Sequence, residues 1–517
     1  MTGLRRIGAD ELRELGRTWH MELGRDEVEQ LGLLAEDLLG VLDPLAASEK
    51  PAADPVPAER EVGPSPSSEQ DPLNAIVRFC RVRAHGAGSA LAGMRVAIKD
   101  SMAIAGLPMT LGSTVITDFV PDVDAVVIER LLRAGAELVA ITNMDHFAFS
   151  GGGDSSSYGP TLNPFDRTRT AGGSSGGSAA ALWYDGIDAA LGTDQGGSIR
   201  VPAAWCGVVG VKPTHSLVPY TGIAGIDATF DHAGPMTRTV QDAARLLGVI
   251  AGRHPSDPRQ AAGVPVDEYV RKVEEAPRDL RGLRIGLVAE GFSPEIGTDP
   301  AVADAVRGAA ARFGELGADV RELSLPEHLT AAALAFAGFI EGMTALMTGG
   351  GNGYAWAGRY WPELAEALGE GLRERADLLS PQMKVVLIVG EHLRRRHSGA
   401  VYARGQNLRP ALVAAYDSAL EEVDLLLMPT TPGPPHPVAP ELSVRDRVMR
   451  GWTLLANTTP TDMTGHPSLS IPAAEANGLP AGVMLVGRRF DDARLLAVAR
   501  TYEREVGWSP GSPPPPA

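Results

Sequence analysis

An α/β fold with a mixed central β-sheet covered by helices on both faces is the class the sequence predicts. Three observations carry it: short apolar runs of strand length recur along the chain, helical patterns separate them, and the runs read as strands buried on both sides. The first β-α-β unit shows all three. Residues 94–99 (MRVAIK) read as a buried strand, a helix (AVVIERLLRA) capped by Asp124 and ended by Gly135 follows, and residues 138–141 (LVAI) give the next strand. Helices are expected near 239–250 and 299–316, and strands at 283–288 and 423–428. Strand-like PSLSIPA and AGVMLVG, then a helix over DDARLLAVARTYERE, close the chain.

The chain has 517 residues, more than one hydrophobic core usually serves, so more than one unit is expected. Residues 1–72 read as a helical appendage plus linker. Within 9–46, Val28, Leu31, Leu34, Leu38 and Leu42 recur at spacings of three and four and form one apolar stripe, and residues 48–72 are Pro-rich and read as extended. The stripe either docks on its own core or forms a contact between two copies, and a homodimer is the expected assembly. Residues 73–505 form the main domain, with a mostly helical elaboration over 341–409 that walls a pocket. Residues 506–517 are a Pro-rich tail.

Lys and Arg number 47 against 64 Asp and Glu, a net charge of −17. That balance disfavours nucleic acid and anionic membrane as partners and favours a small neutral or cationic ligand. Cys80 and Cys206 are the two cysteines, too few for a disulfide framework and not spaced as a metal pair. A reducing, cytoplasmic setting is expected. The N-terminus carries no apolar signal core, and the longest apolar stretch, 331–340, is too short to span a bilayer, so the chain reads as neither exported nor membrane-embedded.

Chemistry concentrates in residues 143–202, where GGSSGGS (172–178) and GTDQGGS (192–198) stand between apolar segments. Packed neighbours on each side set them apart from a flexible linker. Residues 172–176 match the G-x-S-x-G elbow, but the polar, Pro-containing residues before them are no strand, and that motif requires one. VAIK at 96–99 matches a kinase strand, yet neither HRD nor DFG occurs. No P-loop and no HExxH helix is present, and the scattered histidines lack zinc-ligand spacing.

TAGGSSGGSAAAL followed by GTDQGGSIRVPAAWCGVVGVKPT resembles the amidase signature family. VAIKD (96–100), TNMDHFAFSGG (142–152), GPTLNPFD (159–166), DHAGPMTRTVQDAA (231–244), LLLMPTTP (425–432) and TGHPSLSIPA extend the likeness over most of 73–505. With its helical N-terminal unit and the Gln of TDQGGS, the chain is most similar to the broad-range bacterial amidases of the nitrile-hydratase-associated type. The resemblance implies the amidase-signature fold and a Ser-Ser-Lys triad with no metal or other cofactor: Ser198 as nucleophile, Ser174 as bridge and Lys99 as base. It also implies a cis bond between Gly173 and Ser174, and an oxyanion hole from the backbone N–H groups of Gln195, Gly196, Gly197 and Ser198. A lysine serves as base only when burial lowers its pKa, which the apolar strand before Lys99 leads one to expect.

Asp194, His146 and Phe147 are expected near the substrate, and Arg200 as an ion-pair residue supporting the loop. After KPT, His215 and Ser216 stand where the family commonly has an aromatic residue and Gly, which leaves the local loop shape open. The activity implied is hydrolysis of a small carboxamide to an acid and ammonia or an amine, as an acylamide amidohydrolase does. Two alternatives stand beside it: a catalytically silent binding protein on the same fold, and one chain of a glutaminase-type amidotransferase.

Overall fold

Twelve strands pair into a single sheet in the computed structural model, which describes residues 4–48, 54–351, 353, 358–509 and 511–513. In chain order they are β1 (Ala58–Val62), β2 (Ile76–Ala84), β3 (Arg95–Lys99), β4 (Glu137–Thr142), β5 (Ala189–Asp194) and β6 (Val209–Lys212). There follow β7 (His232–Thr237), β8 (Arg284–Val288), β9 (Asp319–Leu323), β10 (Leu425–Pro429), β11 (Ser468–Ala476) and β12 (Leu479–Val486). Their order across the sheet is β1-β2-β4-β3-β5-β7-β6-β11-β12-β10-β8-β9. β3 runs parallel to both β4 and β5, and β8 parallel to β9 and β10, while the other neighbours are antiparallel. This is the mixed α/β architecture expected from the sequence.

The parallel β3–β5 pair positions the site. Val96, Ala97 and Ile98 lie opposite Ala189, Ala190 and Leu191, so the two chains leave the sheet at the same edge. Lys99 ends one strand there and Asp194 the other. Carboxyl ends of parallel strands are where open α/β sheets carry their ligands. Helices cover the sheet; Arg200–Cys206 packs on β11 and β12, and Pro300–Glu315 packs on β11 and β12.

The chain divides into two units, Met1–Asp54 and Pro55–Ala517. In the first, helices Ala9–Thr18 and Arg25–Ala46 form as the periodicity predicts, and Arg6 ties its own segment to the second helix through Glu36 and Asp43. Of the apolar stripe only Val28 is buried; Leu31, Leu34, Leu38 and Leu42 are exposed.

Part of the Pro-rich stretch read as a linker pairs in the sheet, as edge strand β1. Its sequence, AEREV, alternates, and the charges of Glu59, Arg60 and Glu61 suit an edge, where charged side chains discourage further pairing. Residues 49–53 of that stretch, and 510 and 514–517 of the Pro-rich tail, lie outside the described residues. Asp124 does not cap the following helix. Ala125 holds the cap position without a side-chain bond, and the Asp124 carboxylate instead accepts from Val56 N and Ala105 N and pairs with Arg60 at 2.6 Å. A buried carboxylate with three such donors nearby is held by the fold around it rather than by its own helix.

The elaboration is helical as expected, with helices Met343–Thr348, Pro362–Arg375, Pro381–His397 and Ala400–Glu422. The helical run Pro326–Thr348 is long and apolar enough to cross a membrane by length and composition alone, but it packs against Ala400–Glu422 and Pro381–His397. Inside it, Gly338–Gly342 forms a π turn, a local widening common at functional sites.

Removing one partner of a buried ion pair typically costs about 3–5 kcal/mol. Asp124→Ala, which leaves Arg60 and two buried N–H groups without their acceptor, is expected to lower stability by about 3 kcal/mol, read as a clear fall in Tm relative to the parent chain.

Candidate active site

Lys99 is fully buried, and its Nζ lies 2.7 Å from Ser174 Oγ and 2.8 Å from Thr193 Oγ1. The first contact spans two segments far apart in sequence. The second comes from β5, one strand over. Burial pulls the Lys99 ammonium down to about 7, against the opposing pull of the Asp145 and Asp194 carboxylates.

The peptide bond between Gly173 and Ser174 is cis. Gly173 is required by crowding: a Cβ there would lie 1.8 Å from Asp145 Oδ2. That carboxylate accepts from Gly153 N, Ser155 N and Ser155 Oγ, while burial raises it to about 6.

Ser198 follows β5 on a tight loop. Its Oγ makes no hydrogen bond among the described residues, so the contact between Lys99 and Ser174 is formed while the one from Ser174 to Ser198 is open. The two serine segments nonetheless adjoin, since Ser175 N donates to Ser198 O at 3.1 Å. The backbone N–H groups of Gln195, Gly196, Gly197 and Ser198 have no acceptor among the described residues, four consecutive donors on one loop. Gly197 has φ 142°, and a Cβ on it would meet Thr458 Oγ1 at 2.3 Å. Only glycine fits there.

Behind the loop lies a buried charge cluster. Arg200, fully buried, binds Asp194 through Nε (3.0 Å) and Nη2 (2.8 Å), Asp462 at 2.8 Å, and through Nη1 Thr458 O and Thr461 Oγ1. Asp194 also accepts from Ile199 N. Burial pushes Asp194 up, but Arg200, together with Lys212 and the Ile199 N–H, more than offsets it, leaving this carboxylate below its ordinary range. Burial and then the nearby Asp194 hold Asp462 well above its own. Lys212, also buried, donates to His466 O at 2.7 Å, and burial lowers it to about 8. Thr458 and Thr459 hydroxyls both donate to Gly196 O, fixing the loop from the far side.

The geometry therefore assembles an amine of lowered proton affinity, a hydroxyl on it, a second hydroxyl on the adjoining segment and a row of free backbone donors, the parts an acyl-transfer site needs. The amidase family model matches residues 77–496. The chain belongs to the amidase family. An enantioselective amidase of Rhodococcus rhodochrous is 39% identical over 458 residues, 87% of this chain and 86% of the relative. One component of the glutamyl-tRNA(Gln) amidotransferase of Methanosarcina barkeri (strain Fusaro / DSM 804) is 34% identical over 450 residues, covering 85% of this chain and 90% of the relative. Among solved structures, a bacterial aryl acylamidase of the amidase signature enzymes superposes with a TM-score of 0.71 at 27% identity, covering 86% of this chain and 91% of that one.

Of the residues expected near the substrate of this amidase-family chain, Asp194 is turned away: Arg200 and Ile199 N occupy its oxygens, and it does not line the cavity that opens on Ser198. His146 and Phe147 lie against other cavities. The Ser198 pocket is walled instead by Phe149, Ile226, Phe339, Trp452 and Leu455, with Gln195 and Gly196 at its base. Gln195 turns its Nε2 to Tyr220 Oη at 2.7 Å. Arg200 forms the ion pair expected of it. The sequence alone does not single out Thr193, Asp145, Thr458 or Asp462; Asp145 lies inside the TNMDHFAFSGG block, and Thr193 directly precedes Asp194 in GTDQGGS.

Arg200→Met would leave Asp194 and Asp462 without the guanidinium that bridges them. A stability loss of about 3–5 kcal/mol is expected, measured by chemical denaturation with circular dichroism.

Proposed function

We propose that the chain is an amidase acting alone on neutral carboxamides with an apolar acyl group, with Ser198 as nucleophile, Ser174 as bridge and Lys99 as base. The supporting observation is the character of the Ser198 pocket: three aromatic rings, Phe149, Phe339 and Trp452, with Ile226 and Leu455, and no charged side chain among the described residues. Burying an unpaired charge in such surroundings is costly. Free glutamine carries both an ammonium and a carboxylate, so this wall favours an alkyl or aryl amide over the glutaminase reading. The Lys99–Ser174 contact speaks against the silent-protein reading, since a buried lysine kept near its neutral form has no evident packing role.

Neutral Lys99 takes the Ser174 proton as Ser174 takes that of Ser198, and Ser198 Oγ adds to the carboxamide carbon. The oxygen that becomes negative meets the N–H groups of Gln195, Gly196, Gly197 and Ser198; each such donor is typically worth about 3 kcal/mol at the barrier. The proton returns through Ser174 to the departing nitrogen, which leaves as ammonia or an amine. Water then enters, gives its proton to the same relay and releases the acid.

The base works only when Lys99 is uncharged, so kcat/KM is expected to rise tenfold per pH unit below about 7 and level off above it. Lys99→Met should lose that limb, together with at least a hundredfold of activity at pH 7, while keeping the parent circular dichroism spectrum. A serine-directed phosphonate should add one label, mapped to Ser198 by mass spectrometry of peptides. Across a panel of aliphatic amides, aryl amides and glutamine, ammonia release should be strongest with the apolar amides. Turnover confined to glutamine would overturn the substrate assignment, and a label on another serine would overturn the nucleophile.

A further inference from the structure

We propose that a second, polar cavity beside the catalytic pocket binds a small oxyanion, either a carboxylate or a phosphate. The cavity measures about 270 Å³ and shares no lining residue with the Ser198 pocket. It lies between the loop of residues 154–157 and the first turns of two helices, Pro381–His397 and Val444–Thr453.

Both helices give their N-terminal residues to its wall, Ser380, Pro381 and Gln382 from one and Val444 and Arg447 from the other. Helix N-termini carry partial positive charge that favours an anion. Ser380 Oγ caps Met383 N and Ser443 Oγ caps Asp446 N, which leaves Gln382 N free at one end and Val444 N and Arg445 N free at the other among the described residues. Two side chains turn this tendency into a site. Gln382 is only 4% exposed and lines the cavity, and its amide makes no hydrogen bond among the described residues. Arg447 is half-buried and pairs with no carboxylate among the described residues.

The remaining charged groups do not cancel it. Asp154 lines the cavity but is bound to Arg450 at 2.7 Å, a pair in which both side chains are mostly buried. His146 is held neutral by burial. The lining thus carries one uncompensated positive charge, an amide with donor capacity and two helix ends. A guanidinium facing a carboxylate or phosphate makes bonds roughly twice as strong as neutral ones, and Gln382 offers a further N–H. The site is independent of whatever reaction Ser198 performs. Through Ser155, which donates to Asp145 Oδ1 at 2.7 Å, it adjoins the carboxylate that faces Lys99.

The test is isothermal titration of the full-length Ser198→Ala chain with sodium phosphate and, separately, sodium acetate, with ionic strength held constant by sodium chloride. Removing the Ser198 hydroxyl separates this measurement from turnover, so it stands or falls apart from the amidase reading. Saturable binding of one anion per chain is expected, weakened at least tenfold by Arg447→Gln and by Gln382→Leu. Arg445→Gln, on the same helix but exposed and outside the cavity, should leave it unchanged. Binding of phosphate alone points to inorganic phosphate as the source, of acetate alone to a carboxylate such as the reaction's product, and of both to oxyanions in general. No saturable binding of either anion, or binding that survives Arg447→Gln at full strength, would overturn the site. Arg447 is half-buried on a helix surface, so that variant keeps the test sound even where Gln382→Leu disturbs packing.

Discussion

Lys99 ends an apolar strand with none of its side chain in water, and burial loosens this nitrogen's hold on its proton. Burial alone drives the ammonium form out; two nearby carboxylates draw it back. The balance falls near neutrality because those carboxylates are engaged elsewhere. Asp145 is occupied by Gly153 N, Ser155 N and Ser155 Oγ, and Asp194 by Arg200 and Ile199 N. Each donor draws negative charge away from Lys99.

The same division of roles shapes the loop that carries Ser198. Its four N–H groups have no acceptor among the described residues, and a glycine-rich loop left to itself would not hold one arrangement. Rigidity comes from behind. Arg200 clamps Asp194 to Asp462, and the hydroxyls of Thr458 and Thr459 pin Gly196 O from a segment more than 250 residues further along the chain. Gly197 stays glycine because Thr458 presses where its Cβ would be. Loop freedom and external clamping are therefore two halves of one device.

Legibility in the sequence follows this division. Strands β3, β4, β8, β10, β11 and β12 are apolar runs that read directly. β5 (AALGTD) and β7 (HAGPMT) hide behind Gly, Pro and small residues, β6 has only four residues, and β2 (IVRFCRVRA) interleaves arginines with its apolar positions. β9 (DVREL) is a polar edge strand, and β1 sits within a Pro-rich stretch. In the site, Lys99, Ser174 and Ser198 stand in recognisable blocks. Asp462 and Thr458 do not, and Lys212, though it stands in the GVVGVKPT run, is not singled out there, because these roles exist only once distant segments meet. Asp194 sits in the right block, yet its carboxylate belongs to the clamp behind the loop.

The walls of the Ser198 pocket follow a different logic from its chemistry. Lys99 and Thr193 hang from adjoining strands of the sheet, where backbone pairing fixes them, and Ser198 follows on the clamped loop after β5. Phe339, just ahead of the helical elaboration, reaches the pocket from the π turn Gly338–Gly342 and stands edge-on to Phe149, Phe230 and Phe336. Gly338 permits this approach, since a Cβ there would lie 2.6 Å from the Phe230 ring. Trp452 and Leu455 arrive from yet another helix and the turn after it. Lys99 and Thr193 are thus tied to the sheet's own hydrogen-bond ladder, whereas the apolar wall of the pocket rests on side-chain packing between helices. Packing of that kind accepts a change of ring or methylene without moving any strand, so the shape of this wall can be altered on this fold while Lys99 and Thr193 stay where the sheet places them.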